Sequence, residues 1–168
     1  MKTLNIKGWA TLLLVAFLLP LLFTKCSSSK NVTSFSADEM QNIIDSTGFI
    51  FIADKLTSSR GNPRYLTNYY YVNVSKDELN SFLPYVGRIY HPLLDPSKGP
   101  LRFTSGKFTY NVSPKNKNAW EITIKPRDNS EVEQMRFDLF DNGTATLYVT
   151  NTDRDAISFS GRIEKLNG

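Results

Sequence analysis

The sequence predicts an α+β fold, β-rich, in which an N-terminal helix packs on a twisted antiparallel meander sheet or partly open barrel. Three observations carry this expectation. A helix start is specified twice around Ser36, apolar residues alternate in five successive segments between Phe108 and Phe159, and turn-forming residues separate those segments.

A leader comes first. Met1, Lys2 and Lys7 introduce an uncharged apolar run from Gly8 to Phe23, the layout of a secretory signal over residues 1–25. The run is shorter than the roughly twenty apolar residues of a bilayer-spanning helix and contains Pro20, so a permanent span is the weaker reading. Cys26, the one cysteine, comes next and precedes Ser27, Ser28 and Ser29. This arrangement resembles a lipoprotein processing site, at which Cys26 would carry lipid through its sulfur; Lys25, where a small residue is usual, departs from the pattern. The alternative is an ordinary free thiol behind a conventional signal or an uncleaved anchor.

Lys2, Lys7 and Lys25 leave with the leader and no acidic residue does, so the formal charge of +4 falls to +1. No dense basic stripe remains, which excludes nucleic acid as the expected partner. With Cys26 used as an anchor, no intramolecular disulfide can form, and the core must hold itself. The small and polar residues after it make 26–35 a flexible tether, and 36–168 is long enough for one domain.

Ser36 with Glu39 forms a capping box, and Phe35 with Met40 occupies the two positions of a hydrophobic staple. Met40, Ile43 and Ile44 share one helical face, and Gly48 is the expected stop. Phe49 to Ala53 reads as a buried strand, Thr57 to Thr67 as a loop rich in turn formers with Arg60 and Arg64, and Tyr69 to Val74 as a second strand. Alternation points Tyr70 away from Tyr69 and Tyr71, so the three are not expected to form one patch. Ser75 and Glu78 repeat the capping-box pattern, which predicts a short helical turn through Leu79, Phe82 and Leu83, closed by Pro84.

In the C-terminal half, alternation marks strands at Phe108–Val112, Trp120–Ile124, Met135–Leu139, Ala145–Val149 and Ile157–Phe159. A two-residue Asn142-Gly143 turn would place Leu147 opposite Asp138, on the wrong face. A three-residue loop, Asp141-Asn142-Gly143, aligns Leu139 with Ala145 and Phe137 with Leu147 and puts Gly143 in the left-handed position of a bulged hairpin. The opposite face, with Glu121, Lys125, Arg136, Asp138, Thr146 and Arg162, is expected to meet water.

Several segments together resemble the domain-of-unknown-function 4251 family of small exported Gram-negative lipoproteins. They are Phe49-Ile50-Phe51-Ile52-Ala53-Asp54, Leu83-Pro84-Tyr85-Val86-Gly87-Arg88-Ile89-Tyr90, Leu101-Arg102-Phe103-Thr104, Trp120-Glu121-Ile122, Asn142-Gly143-Thr144-Ala145-Thr146-Leu147 and Ile157-Ser158-Phe159-Ser160-Gly161. The Pro-Tyr-x-Gly-Arg-x-Tyr stretch is the most specific of them. The resemblance implies export and a shared fold and supplies no activity.

Catalytic chemistry finds little footing. His91 is the one histidine, so multi-histidine metal sites are excluded, and no nucleophile elbow, phosphate-binding loop or dinucleotide fingerprint occurs. No cofactor is expected. Carboxylate pairs are the remaining route, but Asp138 and Asp141 read as an exposed strand face and a hairpin corner, and Asp153 with Asp155 as a turn. The candidate binding residues are Tyr85, Gly87, Arg88 and Tyr90: a permanently charged planar donor between two phenols, on a backbone that Gly87 lets approach closely. The competing reading pairs Arg88 with Asp54 or Asp95 and uses the tyrosines to fill the sheet's end.

The function expected is that of an envelope lipoprotein, a non-catalytic binding or scaffold module for an envelope protein, a glycan or a small apolar ligand. The alternative is a hydrolase acting on envelope or glycan material through paired carboxylates. Lipid on Cys26 would hold the domain on the outer membrane. No acidic cluster comes after Cys26, which favours a periplasm-facing domain.

Overall fold

The structure is a computed structural model that describes residues 35–90, 99, 101–129 and 131–166. The leader, Cys26, most of the tether, His91 and Asp95 lie outside the described residues.

The described chain opens with one short helix, α1 (Ala37–Asp45). Ser36 caps it as the capping box requires: its hydroxyl accepts from Glu39 N at 3.2 Å while Glu39 Oε2 accepts from Ser36 N at 2.8 Å. These bonds to Ser36 hold the Glu39 carboxyl below its ordinary range. Met40, Ile43 and Ile44 are buried in the core. The end of the helix differs from expectation. Thr47 N donates to Ile44 O and Gly48 N to Ile43 O, the paired bonds of a Schellman motif, and the left-handed residue is Thr47 at φ 51°, one position before the expected glycine.

Nine strands come after it: β1 (Phe49–Ser58), β2 (Arg64–Val74), β3 (Leu79–Phe82), β4 (Arg102–Ser105), β5 (Phe108–Asn116), β6 (Ala119–Pro126), β7 (Val132–Phe140), β8 (Thr144–Asn151) and β9 (Ile157–Lys165). They form one antiparallel sheet in the order β4-β3-β2-β1-β9-β8-β7-β6-β5, two meanders joined by β1 and β9 and curled into a nearly closed barrel. Nine strands that alternate in direction leave the two edges, β4 and β5, running the same way. An antiparallel ladder therefore cannot close the gap between them. The chain passes from β4 to β5 through Gly106 and Lys107 without reversing, and the β6–β7 turn clamps this passage. Asp128 accepts from the Ser105 hydroxyl and from Gly106 N, and Arg127 N donates to Lys107 O.

Two expectations near the N-terminal meander fail. The loop expected at Thr57–Thr67 is shorter, because β1 runs to Ser58 and β2 starts at Arg64, each gaining ladder bonds from its neighbour. The helical turn expected after Ser75 is a strand, β3. The Ser75 side chain caps a hairpin turn instead, accepting from Glu78 N at 3.0 Å while Ser75 N donates to Glu78 O at 2.9 Å. Pairing of Leu79 with Val74 and with Ser105 makes the segment extended.

Strands β6 to β9 and their register obey the alternation, whereas in the edge strand β5 Phe108 and Tyr110 are only half-buried and Val112 is exposed. Leu139 pairs with Ala145 and Phe137 with Leu147, and Gly143 takes φ 75° while its N–H donates to Phe140 O. Phe49, Phe51, Phe137 and Phe159, with Leu56, Leu79, Ile122 and Ile124, are each less than 2 % exposed or at that level and fill the interior. Phe137 meets Phe49 and Phe51 edge-on at 5.4 and 5.8 Å. From the core side, Trp120 Nε1 donates to Gln41 Oε1 at 2.9 Å and Tyr110 OH to Ile44 O at 3.1 Å.

The barrel has two distinct ends. At one, Phe35 N donates to Asp141 O, beside the β7–β8 hairpin where β8 begins. β8 then runs its eight residues, about 25 Å, to Asn151 at the other end, where the β1–β2, β6–β7 and β8–β9 turns gather.

Candidate functional site

The segment after β3 crosses that second end. Leu83 is buried and bonded through its N–H to Leu101 O, which anchors the segment to the core. Tyr85 then folds inward against the core, and its one hydroxyl proton is shared between two carbonyls, Arg88 O at 2.9 Å and Asp155 O at 3.1 Å. Burial pushes the Tyr85 phenol up, with the nearby Asp155 charge adding to it.

Ile89 forms an isolated antiparallel bridge with Arg154, Tyr90 N donates to Asp153 O, and Asp155 N donates to Arg88 O. Tyr90 OH donates to Asp155 Oδ1 at 2.6 Å. This bond holds the Asp155 carboxyl below its ordinary range and pushes the Tyr90 phenol above its own. The segment is thereby sewn to the β8–β9 turn along its length, and it presents outward Arg88, Ile89 and Tyr90, the last two 46 % and 56 % exposed.

The four candidate residues therefore divide. Arg88 and Tyr90 present exposed side chains, whereas the half-buried Tyr85, packed against an exposed Gly87, holds the segment in place. Gly87 does not adopt a left-handed conformation. It is glycine because the Tyr85 ring lies over it: a Cβ there would sit 2.5 Å from Tyr85 Oη and 2.8 Å from Cζ. Arg88 does not pair with Asp54, whose carboxylate accepts from Arg162 Nη1 at 2.8 Å, and it makes no ion pair among the described residues.

The buried arginine of this region is Arg154, which local sequence marks only as part of a turn. It is 8 % exposed, its Nη2 donates to Glu131 Oε2 at 3.1 Å, and its guanidinium stands 5.8 Å from the Tyr85 ring centroid. Its Nη1 has no hydrogen-bond partner among the described residues. Asp155, expected only as a turn residue, is the anchor of Tyr90. A single arginine between two aspartates carries no periodicity, and nothing local marks it as buried.

The tyrosines of β2 also depart from expectation. Tyr70 and Tyr71 each lie 5.8 Å from Phe82, Tyr69 lies 5.6 Å from Tyr71, and Arg102 stands 4.4 Å over Phe82. The β2–β3 ladder ends at Tyr71 and Phe82, so past the end of β3 one ring is reached from both neighbours and the three tyrosines are linked through it.

Fold and site together define a small antiparallel β-meander barrel with a filled interior, a capped helix and an ordered segment across one end. A family model described as "Domain of unknown function (DUF4251)" matches residues 33–163. The chain belongs to that family. It is similar in fold to the crystal structure of a DUF4251 family protein from Bacteroides eggerthii DSM 20697, with a TM-score of 0.56 at 12 % identity over 77 % of this chain and 87 % of that one. No curated protein matches it.

Proposed function

We propose that this chain is a lipid-anchored envelope protein, attached through Cys26 to the outer membrane and facing the periplasm, that binds a protein partner through its Tyr85–Tyr90 segment without catalysing a reaction. The observation that supports it is placement. Arg88, Ile89 and Tyr90 are held at the barrel end opposite Phe35, where the tether enters, so an anchored domain presents them away from the membrane. Arginine and tyrosine are the side chains that dominate binding energy at protein interfaces. The sewing of the segment to Asp153 and Asp155 means little ordering entropy is lost on binding.

The filled interior argues against a small apolar ligand held inside the barrel. Hydrolysis by paired carboxylates gains no support, since Asp138 holds Lys115 at 2.9 Å, Asp128 clamps Ser105 and Asp155 accepts from Tyr90.

Metabolic labelling with a fatty acid, compared between the wild type and Cys26→Ala, tests the anchor, and absence of label from the wild type refutes it. A photo-reactive residue at position 90 in intact cells tests the surface. A specific cross-link that Arg88→Ala abolishes is expected; no cross-link, or one indifferent to Arg88, refutes this surface.

A further inference from the structure

The barrel wall carries a second feature. Tyr65, near the start of β2, is 84 % exposed, so its ring contributes little to the core. It stands at a cleft of about 310 Å³ on the outer wall, with Asp54, Thr146, Ser160 and Gly161 among the lining residues. That volume lies at the small end of the range for ligand sites.

Asp54 is there because of a β-bulge. In both ladders of β1 the register jumps between Ala53 and Lys55: Ala53 pairs with Gly161 and Lys55 with Ser160, so Asp54 has no partner opposite it. A bulge of this kind re-aims one side chain, and bulges gather near functional sites. Here the Asp54 carboxylate accepts from Arg162 Nη1 at 2.8 Å, and the pair stays about half open to water, with side-chain exposures of 55 % and 37 %. The same crossing brings β9 so close to β1 that a Cβ on Gly161 would collide with Ile52 O. Only backbone fits there, which leaves the floor low.

An open aromatic ring thus stands beside an acceptor (Asp54), a donor (Lys55) and two hydroxyls that do either (Thr146, Ser160). A ligand matched to this set has an apolar face to lay on the ring and hydroxyls around its rim. We propose that the Tyr65 cleft binds a neutral saccharide, with the C–H face of one sugar ring on Tyr65 and its hydroxyls shared among Asp54, Thr146 and Ser160. A lipid chain would meet too many polar groups, and Asp54 and Lys55, opposite in charge, leave the lining without a net charge to hold a strongly ionic ligand.

The test uses the full chain in dodecylphosphocholine micelles, which carry no sugar headgroup, titrated calorimetrically with hexasaccharides of glucose, mannose and xylose. At least one is expected to bind with a Kd of about 1 mM or tighter. Tyr65→Ala and Asp54→Asn should each weaken it at least about tenfold, Tyr65→Phe should keep most of the affinity, and the melting temperature of Tyr65→Ala should match that of the wild type. Absence of binding by all three sugars, or affinity unchanged in Tyr65→Ala, overturns the proposal.

Discussion

The Tyr85 ring lies across Gly87 so closely that a single added methyl would meet its hydroxyl-bearing carbon at 2.8 Å. The phenol must stay where it is to share its proton between Arg88 O and Asp155 O, so glycine at 87 and tyrosine at 85 are one structural unit. Arg88, next to it, is exposed to solvent.

The two neighbours should therefore respond oppositely to substitution. Gly87→Ala displaces Tyr85 and breaks the hydrogen bonding of its partly buried hydroxyl, with an expected loss of about 1–3 kcal/mol. Arg88→Ala should stay within about half a kcal/mol, as surface substitutions do. Thermal unfolding of both variants measures the difference; a large loss for Arg88→Ala would show that its side chain is structural.

The Glu131–Arg154 pair predicts an asymmetry. Glu131→Ala leaves a buried guanidinium without its counter-charge and should cost about 2–3 kcal/mol, toward the low side for a buried pair because Glu131 is itself 37 % exposed. Arg154→Met replaces the cation by an apolar chain of similar length and also removes the unpartnered Nη1, so it should be nearly neutral. Chemical denaturation of the two variants would read this, and equal losses would count against it.

Thr47 is a β-branched residue held at φ 51°, where a Cβ crowds the following carbonyl. Thr47→Gly should stabilise the domain by about 0.5–1 kcal/mol, the relief of strain exceeding the added freedom of the unfolded chain. The denaturation midpoint should rise with an unchanged slope.

Tyr110 supplies a pH dependence. Burial first, and the Asp45 charge second, push its phenol well above its ordinary range. Below pH about 10 both folded and unfolded chains keep the proton, and stability does not depend on this group. Above it the unfolded chain releases the proton while the folded chain retains it, so stability falls as pH rises. Tyr110→Phe should cost about 1 kcal/mol at neutral pH, for the lost bond to Ile44 O, and should flatten the alkaline decline. Equal alkaline slopes in the two proteins would rule out this assignment.

Much of the fold was legible in the sequence where a local period faced one environment. Phe137, Leu139, Ala145 and Leu147 alternate, and only a three-residue loop keeps all four on one face, so the β7–β8 register is set by side-chain burial alone. The candidate segment was legible too, through the spacing of Tyr85, Gly87, Arg88 and Tyr90. Its division into support and surface was not, because that depends on Asp153, Arg154 and Asp155, distant in sequence.

The pairs Ser36–Glu39 and Ser75–Glu78 show where local information ends. Both place a serine three residues before a glutamate, and in both the serine hydroxyl accepts the glutamate N–H. The first begins a helix, because Met40, Ile43 and Ile44 behind it bury one helical face. The second begins a strand, because Val74 and Ser105 stand ready on either side of Leu79 to take its ladder bonds. The local pattern specifies only that each serine hydroxyl takes the N–H three residues further on. Helix or strand beyond each cap depends on long-range packing, since backbone groups bond to whichever partner folding brings within reach, and for Leu79 that partner comes from distant β4 as well as from β2.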